Sequence, residues 1–102
     1  MLSETYYLIR SRMDGSYLAA YPNQDDRDKA RSPQNGYVLL FREHFDALSY
    51  LNKHATGVSD RFSVETIPGT QLTSVLDRWG FKGFGVVEDP LLPRVEFMSK
   101  GQ

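Results

Sequence analysis

The stretch at residues 37–55, YVLLFREHFDALSYLNKHA, changes its hydrophobic period part-way and so decides the fold class. Residues 37–41 are apolar without interruption, which predicts a strand buried on both faces and central in its sheet. From 43 to 55 the apolar side chains recur at spacings of three and four, which predicts a helix that stops at Gly57. The apolar face of this helix is formed by Phe45, Ala47, Leu48, Leu51 and Ala55.

Downstream, a second strand–helix–strand unit follows. Residues 62–66 alternate in polarity and predict a half-exposed strand. After Thr70, a predicted N-cap, a helical apolar stripe is formed by Leu72, Val75, Leu76 and Trp79. Gly80 stands where a left-handed residue ends a helix, and Phe81 is placed to touch Leu76. Residues 84–88 predict a further strand, and residues 94–98 predict a short edge strand.

Upstream, the chain predicts a hairpin followed by a long polar loop. Aromatic and branched residues at 5–11 and 17–21 predict two strands, joined by the turn signal Asp14-Gly15. Residues 23–36 have no apolar period, and six of the fourteen are charged. Loops of this length either carry function or are disordered, so we predict a flexible charged loop there, available for docking a partner.

The order of elements is therefore strand, strand, strand, helix, strand, helix, strand. We predict a single α+β domain spanning residues 1–102, a two-layer α/β sandwich. Its mixed sheet would have four to five strands, with two helices on one face and tyrosines on the open face.

Composition excludes several classes of protein. The chain of 102 residues allows one domain of ordinary size. A net charge of −1 gives no single-sign field to attract nucleic acid or an anionic membrane, so neither is an expected partner. The absence of cysteine excludes disulfides and thiolate metal sites and fits a reducing compartment. With no targeting pattern in residues 1–5 and no long apolar run, we expect a soluble, cytoplasmic protein.

Three motifs could carry chemistry, and each has a simpler structural explanation. Residues 82–87, KGFGVV, overlap the octamer of RNA-recognition domains but lack its later aromatic residues and follow a helix, which favours a helix-to-strand connection. The acids at 25, 26 and 28 lack calcium-loop spacing and alternate with bases, which favours a solvated loop over a metal site. His44 and His54 stand ten residues apart on one helix and cannot share a metal ion. We therefore predict no metal and no cofactor.

The chain also resembles small cyanobacterial and plastid proteins that form a domain-of-unknown-function family. The resemblance rests on residues 37–41, Asp46-Ala47-Leu48 with Leu51, Val64-Glu65, Leu72 with Trp79-Gly80-Phe81, and Val86-Val87 before residues 90–93. The hairpin at Asp14-Gly15 is similar to the start of SseB N-terminal domains. This resemblance implies a cyanobacterial lineage, a cytosolic or stromal setting and no enzymatic activity; it carries no catalytic residues.

Two functions follow as hypotheses. The first is a non-enzymatic interaction or assembly module that binds a protein partner or itself as a homodimer, because no nucleophile, base and orienting group converge in the sequence. The alternative is a regulatory domain that binds a small ligand or nucleotide on the tyrosine-rich sheet face. Residues 90–94 (PLLPR) could either shield a sheet edge or dock onto a partner. The candidate binding residues are Tyr7, Arg10, Arg12, Tyr17, Tyr21, Arg27, Lys29, Arg31, Arg42 and Arg78.

Overall fold

The computed structural model describes residues 4–21, 36–92 and 94–99. Most of the predicted charged loop at 23–36, with Arg27, Lys29 and Arg31, lies outside the described residues. The elements in chain order are β1 (Thr5–Ser11), β2 (Ala19–Ala20), β3 (Tyr37–Phe41), α1 (His44–His54), β4 (Phe62–Pro68), α2 (Leu72–Trp79), β5 (Gly83–Asp89) and β6 (Arg94–Ser99). Short 3-10 turns at Ser59–Arg61 and Gly69–Gln71 precede β4 and α2.

One mixed sheet of six strands forms the centre of the molecule and confirms the predicted α+β class. Five strands lie in the order β4-β1-β3-β5-β6, and β2 is inserted beside β3. β3 and β5 are parallel, whereas β1 is antiparallel to both β3 and β4, and β6 is antiparallel to β5. All five residues of β3 are buried, as predicted for a central strand.

The two helices pack on opposite faces of this sheet, so the prediction that both lie on one face is wrong. Leu51 of α1 belongs to one buried cluster and Leu76 of α2 to the other. α1 connects β3 to β4 in one direction along the sheet, and α2 returns from β4 to β5 in the other. Crossovers between parallel strands are right-handed, so reversing direction moves the helix to the other face. The molecule has three layers rather than two.

Side chains alternate between these two faces along the central strands. Leu8 and Val38 point to the α2 side, and Ile9 and Leu39 to the α1 side. The tyrosines divide in the same way, so the predicted open tyrosine face does not exist among the described residues. Tyr6 and Tyr17 pack on the α2 side, and Tyr7 and Tyr50 on the α1 side.

The ends of the helices show which local predictions hold. Gly80 has a left-handed backbone (φ +77°), and its N–H and that of Phe81 both donate to the Leu76 carbonyl oxygen, which confirms the predicted helix end. The predicted N-cap is wrong because α2 starts after a 3-10 turn that contains Thr70, with no side-chain cap.

No helix in the described part of the chain is long and apolar enough to cross a membrane.

Candidate functional site

A cleft between α2 and the β1–β4 pair, named here the α2 cleft, brings three of the predicted residues together. Arg10 projects from β1 beside it, Tyr17 follows from the hairpin, and Arg78 lies on α2. The cleft has a volume of about 460 Å³. It is lined by Leu8, Tyr17, Glu65, Thr66, Ile67, Gln71, Ser74, Val75 and Arg78.

Arg10 is held by three groups, which leaves it little freedom to bind a ligand. Its Nε donates to the carbonyl oxygen of Gly15 at 2.7 Å, and its Nη1 lies 3.4 Å from Glu65 Oε1. Its guanidinium also stands 5.1 Å from the centre of the Tyr17 ring. Tyr17 is fixed in turn by an edge-on contact with Trp79, with ring centres 5.8 Å apart. Arg10 therefore joins the hairpin turn to β4 across the sheet.

Arg78 is the cation that the α2 cleft can offer to a ligand. It is exposed and makes no hydrogen bond or ion pair within the described part of the chain. The nearby positive charge of Arg10 is already opposed by Glu65. Among the described residues, the cleft therefore presents the Arg78 cation, the Glu65 carboxylate that is paired with Arg10, and several hydroxyl and amide groups above the apolar side chains of Leu8 and Ile67.

A second depression, named here the α1 groove, runs on the other face between α1 and the start of β4. Its volume is about 390 Å³. Arg12 lines it and donates from Nε to the Phe62 carbonyl oxygen at 3.2 Å, and Tyr7 meets His44 edge-on at 5.6 Å. The lining residues are Arg12, His44, Leu48, Leu51, Asn52, Ser59, Asp60, Phe62, Ser63 and Val64.

Two large apolar side chains of α1 are exposed: Leu48, which lines the α1 groove, and Phe45, three residues before it. Phe45 is 73% exposed and Leu48 is 41% exposed, so their predicted place in the core is wrong. The buried stripe is instead centred on Ala47 and Leu51 and completed by Tyr50, whose ring meets Phe41 with centres 5.4 Å apart. The spacing of apolar residues fits both the stripe with Phe45 and Leu48 and the stripe with Ala47 and Leu51, so it could not show which one is buried. The signal for the second stripe was Tyr50, three residues after Ala47.

β4 forms the edge of the sheet next to both depressions. All seven of its residues are in register with β1, from Phe62 opposite Ser11 to Pro68 opposite Thr5. Within the described ranges, no strand pairs with its outer side. The α1 groove and a free strand edge therefore lie side by side.

The other predicted residues lie away from this edge. Arg42 Nη2 is 3.5 Å from Glu88 Oε2 at the end of the sheet. The Tyr21 ring lies against Gly36, where an added Cβ would stand 2.7 Å from Tyr21 Cε2. The described members of the predicted set are therefore divided among several surfaces: Arg10, Tyr17 and Arg78 meet at the α2 cleft, and the others lie elsewhere.

A small pocket of about 220 Å³ lies under the C-terminal half of α1, bounded by apolar side chains with Tyr50 and His54. The two rings are 4.5 Å apart, and His54 Nε2 lies 3.2 Å from the Pro90 carbonyl oxygen. Burial raises the pKa of the Tyr50 phenol above its usual value. These contacts hold the C-terminal half of α1 against the sheet.

Neither a metal site among the described residues nor a similarity to known proteins indicates what these surfaces bind. The described residues contain no group of three or more side chains able to hold a metal ion together. No protein-family model, curated protein or solved structure matches the chain. The resemblance to a cyanobacterial family stays a prediction.

Proposed function

We propose that the protein is a non-enzymatic interaction module that binds an extended segment of a partner protein along β4. The observation that carries this proposal is the outer side of β4, which no strand of the described residues pairs with, next to the α1 groove and the exposed Phe45 and Leu48. An exposed sheet edge offers unpaired N–H and C=O groups, and an added strand satisfies them while its side chains enter neighbouring pockets.

The chemistry of the groove indicates what the segment contains. Alternate side chains of an added strand point to the α1 side, where Leu48, Phe62 and Val64 are apolar. Arg12 and Asp60 stand at one end of the groove and offer one charge of each sign. We therefore expect a segment with apolar residues at alternate positions.

A cytoplasmic setting is part of the proposal because the cysteine-free chain fits a reducing compartment.

The test uses a library of random peptides displayed on phage and selected against the immobilised protein. The proposal expects a consensus with apolar residues at every second position. Leu48→Ser should weaken a selected peptide about tenfold or more, since a well-packed apolar contact contributes about 1.4 kcal/mol. Lys53→Ser, an exposed change at the far end of α1, is the matched control.

Hydrogen exchange separates edge addition from other modes of binding. A bound peptide should slow the exchange of outward-facing amides of β4 and leave those of β6 unchanged. No consensus, or peptides whose affinity is the same for Leu48→Ser and for wild type, would refute the proposal.

A second candidate function is favoured by Arg78 in the α2 cleft, which has no ion pair with any described residue and fits a small anionic metabolite or nucleotide. A thermal-shift screen tests it, because a ligand at a hundred times its Kd adds about 2.7 kcal/mol of stability. Arg78→Ala should abolish any such shift, and a screen without any stabilising anion would reject this candidate.

A further inference from the structure

β6 forms the opposite edge of the sheet and carries a concentration of exposed apolar side chains. Seven large apolar residues in the described part of the chain are exposed, and four of them lie between 91 and 98. Leu91 and Leu92 occupy the turn before β6, where both N–H groups donate to Asp89 Oδ1. Phe97 and Met98 lie in β6 itself, on opposite faces of the sheet, and are 40% and 39% exposed.

β6 also carries two charges of opposite sign on one face. Arg94 and Glu96 are two residues apart, so their side chains point to the same side of the sheet. Both are exposed, and neither has a hydrogen bond or ion pair within the described ranges. An edge strand with this pattern is self-complementary under a twofold axis.

We propose that β6 pairs antiparallel with β6 of a second copy of this chain, about a twofold axis at Val95. In this register Arg94 stands opposite the partner's Glu96, and Glu96 stands opposite the partner's Arg94. Opposite charges in directly opposed positions stabilise a strand pair.

Neighbouring registers satisfy fewer of these groups. An axis at Glu96 would place that carboxylate directly opposite its own copy, and like charges in opposed positions are destabilising. An axis at Phe97 would place Glu96 opposite the partner's Met98 and leave the charge unpaired. Of these centres, Val95 is the one that pairs both charges.

This inference does not depend on the proposed function, because β4 and β6 are opposite edges of the sheet. Substitutions on β6 do not touch the α1 groove, and Leu48→Ser does not touch β6. A failure of one proposal therefore leaves the other standing.

The test exchanges charges on two exposed side chains. In sedimentation velocity at low salt, Arg94→Glu and Glu96→Arg should each weaken self-association about tenfold or more, since both opposed pairs become repulsive. An equimolar mixture of the two variants should recover the wild-type dimer, because each supplies the charge that the other lacks. The double variant with both exchanges should also recover it.

Cross-linking tests the register directly, because the chain has no cysteine of its own. Arg94→Cys mixed with Glu96→Cys should form an intermolecular disulfide at a rate well above Arg94→Cys mixed with Lys53→Cys. Opposed residues of an antiparallel pair have the Cβ separation that a disulfide bridges with small adjustment. A wild type that stays monomeric at several hundred micromolar, a dimer that survives both single exchanges, or cross-linking no faster than the control would overturn the proposal.

Discussion

The two edges of the sheet are built differently although both are strands of similar length. β4 is in register with β1 along its whole length, its Ile67 is buried, and its Glu65 is tied to Arg10. β6 is covered less completely: Phe97 stays half exposed, and Glu96 has no partner within the described ranges. The β4 edge is therefore a firmly held strand beside a groove, and the β6 edge is an exposed strand that carries charges of both signs.

This difference indicates why the two edges suit different occupants. A groove beside a fixed strand recognises the side chains of a foreign segment through pockets. A strand without a groove can recognise little more than another strand, and opposite charges two residues apart favour a second copy of the same strand. The measurements below test this contrast, beginning with the largest expected effect.

The largest expected effect concerns how firmly each edge is attached. Ile67→Ala should lower the free energy of unfolding by about 2–4 kcal/mol, because it leaves a cavity beneath β4. Phe97→Ala should cost about 1 kcal/mol, because its half-exposed ring loses less contact. Urea unfolding of both variants, at a concentration where the wild type is monomeric, measures the difference. Equal losses would show that the two edges are anchored alike.

The next effect concerns Gly85 of β5, which is covered by two side chains of β6. An added Cβ at Gly85 would stand 2.7 Å from Val95 Cγ1 and 3.1 Å from Phe97 Cε1, and the Phe97 ring rests in turn on Tyr37. Gly85→Ala should therefore cost about 1–3 kcal/mol by overpacking. Combined with Val95→Ala, it should cost less than the sum of the two single changes, since the closest clash is removed. Strict additivity would place the strain elsewhere.

Gly85 also shows what could be predicted from the sequence. Period and turn chemistry predicted both α-helices and the six strands of the described residues, including the helix end at Gly80, because those signals are local; the two 3-10 turns were not predicted. Residues 82–87 were predicted to connect a helix to a strand, and Gly85 lies inside that strand without a positive φ. Its reason is the close approach of Val95 and Phe97 from the next strand, which no local signal contains.

The sequence did not predict which face of the sheet each helix covers or how the candidate binding residues are grouped, and the reason is related. The reversal of crossover direction depends on β1 lying between β4 and β3, and strand order is not encoded in periodicity. The exposure of Phe45 depends on which of two overlapping stripes meets the sheet. The meeting of Arg10, Tyr17 and Arg78 likewise depends on α2 lying over β1, so residue type alone predicted the members but not their grouping.

A third effect, on the β4 side, concerns how α1 is held beside the groove. The raised pKa of Tyr50 means that the folded state favours the neutral phenol. The stabilisation that the buried Tyr50 phenol gives to the folded protein is therefore complete below pH 10 and is lost as pH rises through the folded pKa. Between the two pKa values, stability should fall by at most about 1.4 kcal/mol per pH unit. Unfolding from pH 8 to 11 should show a smaller decline in Tyr50→Phe than in the wild type. Parallel declines would mean that the Tyr50 phenol is not held by burial.

The smallest effect compares one glutamate on each edge. Glu65→Gln removes the ion pair with Arg10, which is 3.4 Å long and partly exposed, and should lower stability by about 0–1 kcal/mol. Glu96→Gln should leave monomer stability unchanged within about 0.5 kcal/mol, as expected for an exposed side chain without a hydrogen bond or ion pair to any described residue.

The two glutamates should exchange roles when association is measured instead of unfolding. Glu96→Gln should weaken self-association and reduce its salt dependence, because one member of each opposed pair becomes neutral. Glu65→Gln should leave self-association unchanged, since Glu65 lies on the opposite edge. If Glu65→Gln and Glu96→Gln altered stability and association equally, β4 and β6 would not differ in function as proposed: β4 as the strand beside the α1 groove and β6 as the strand that pairs with its own copy.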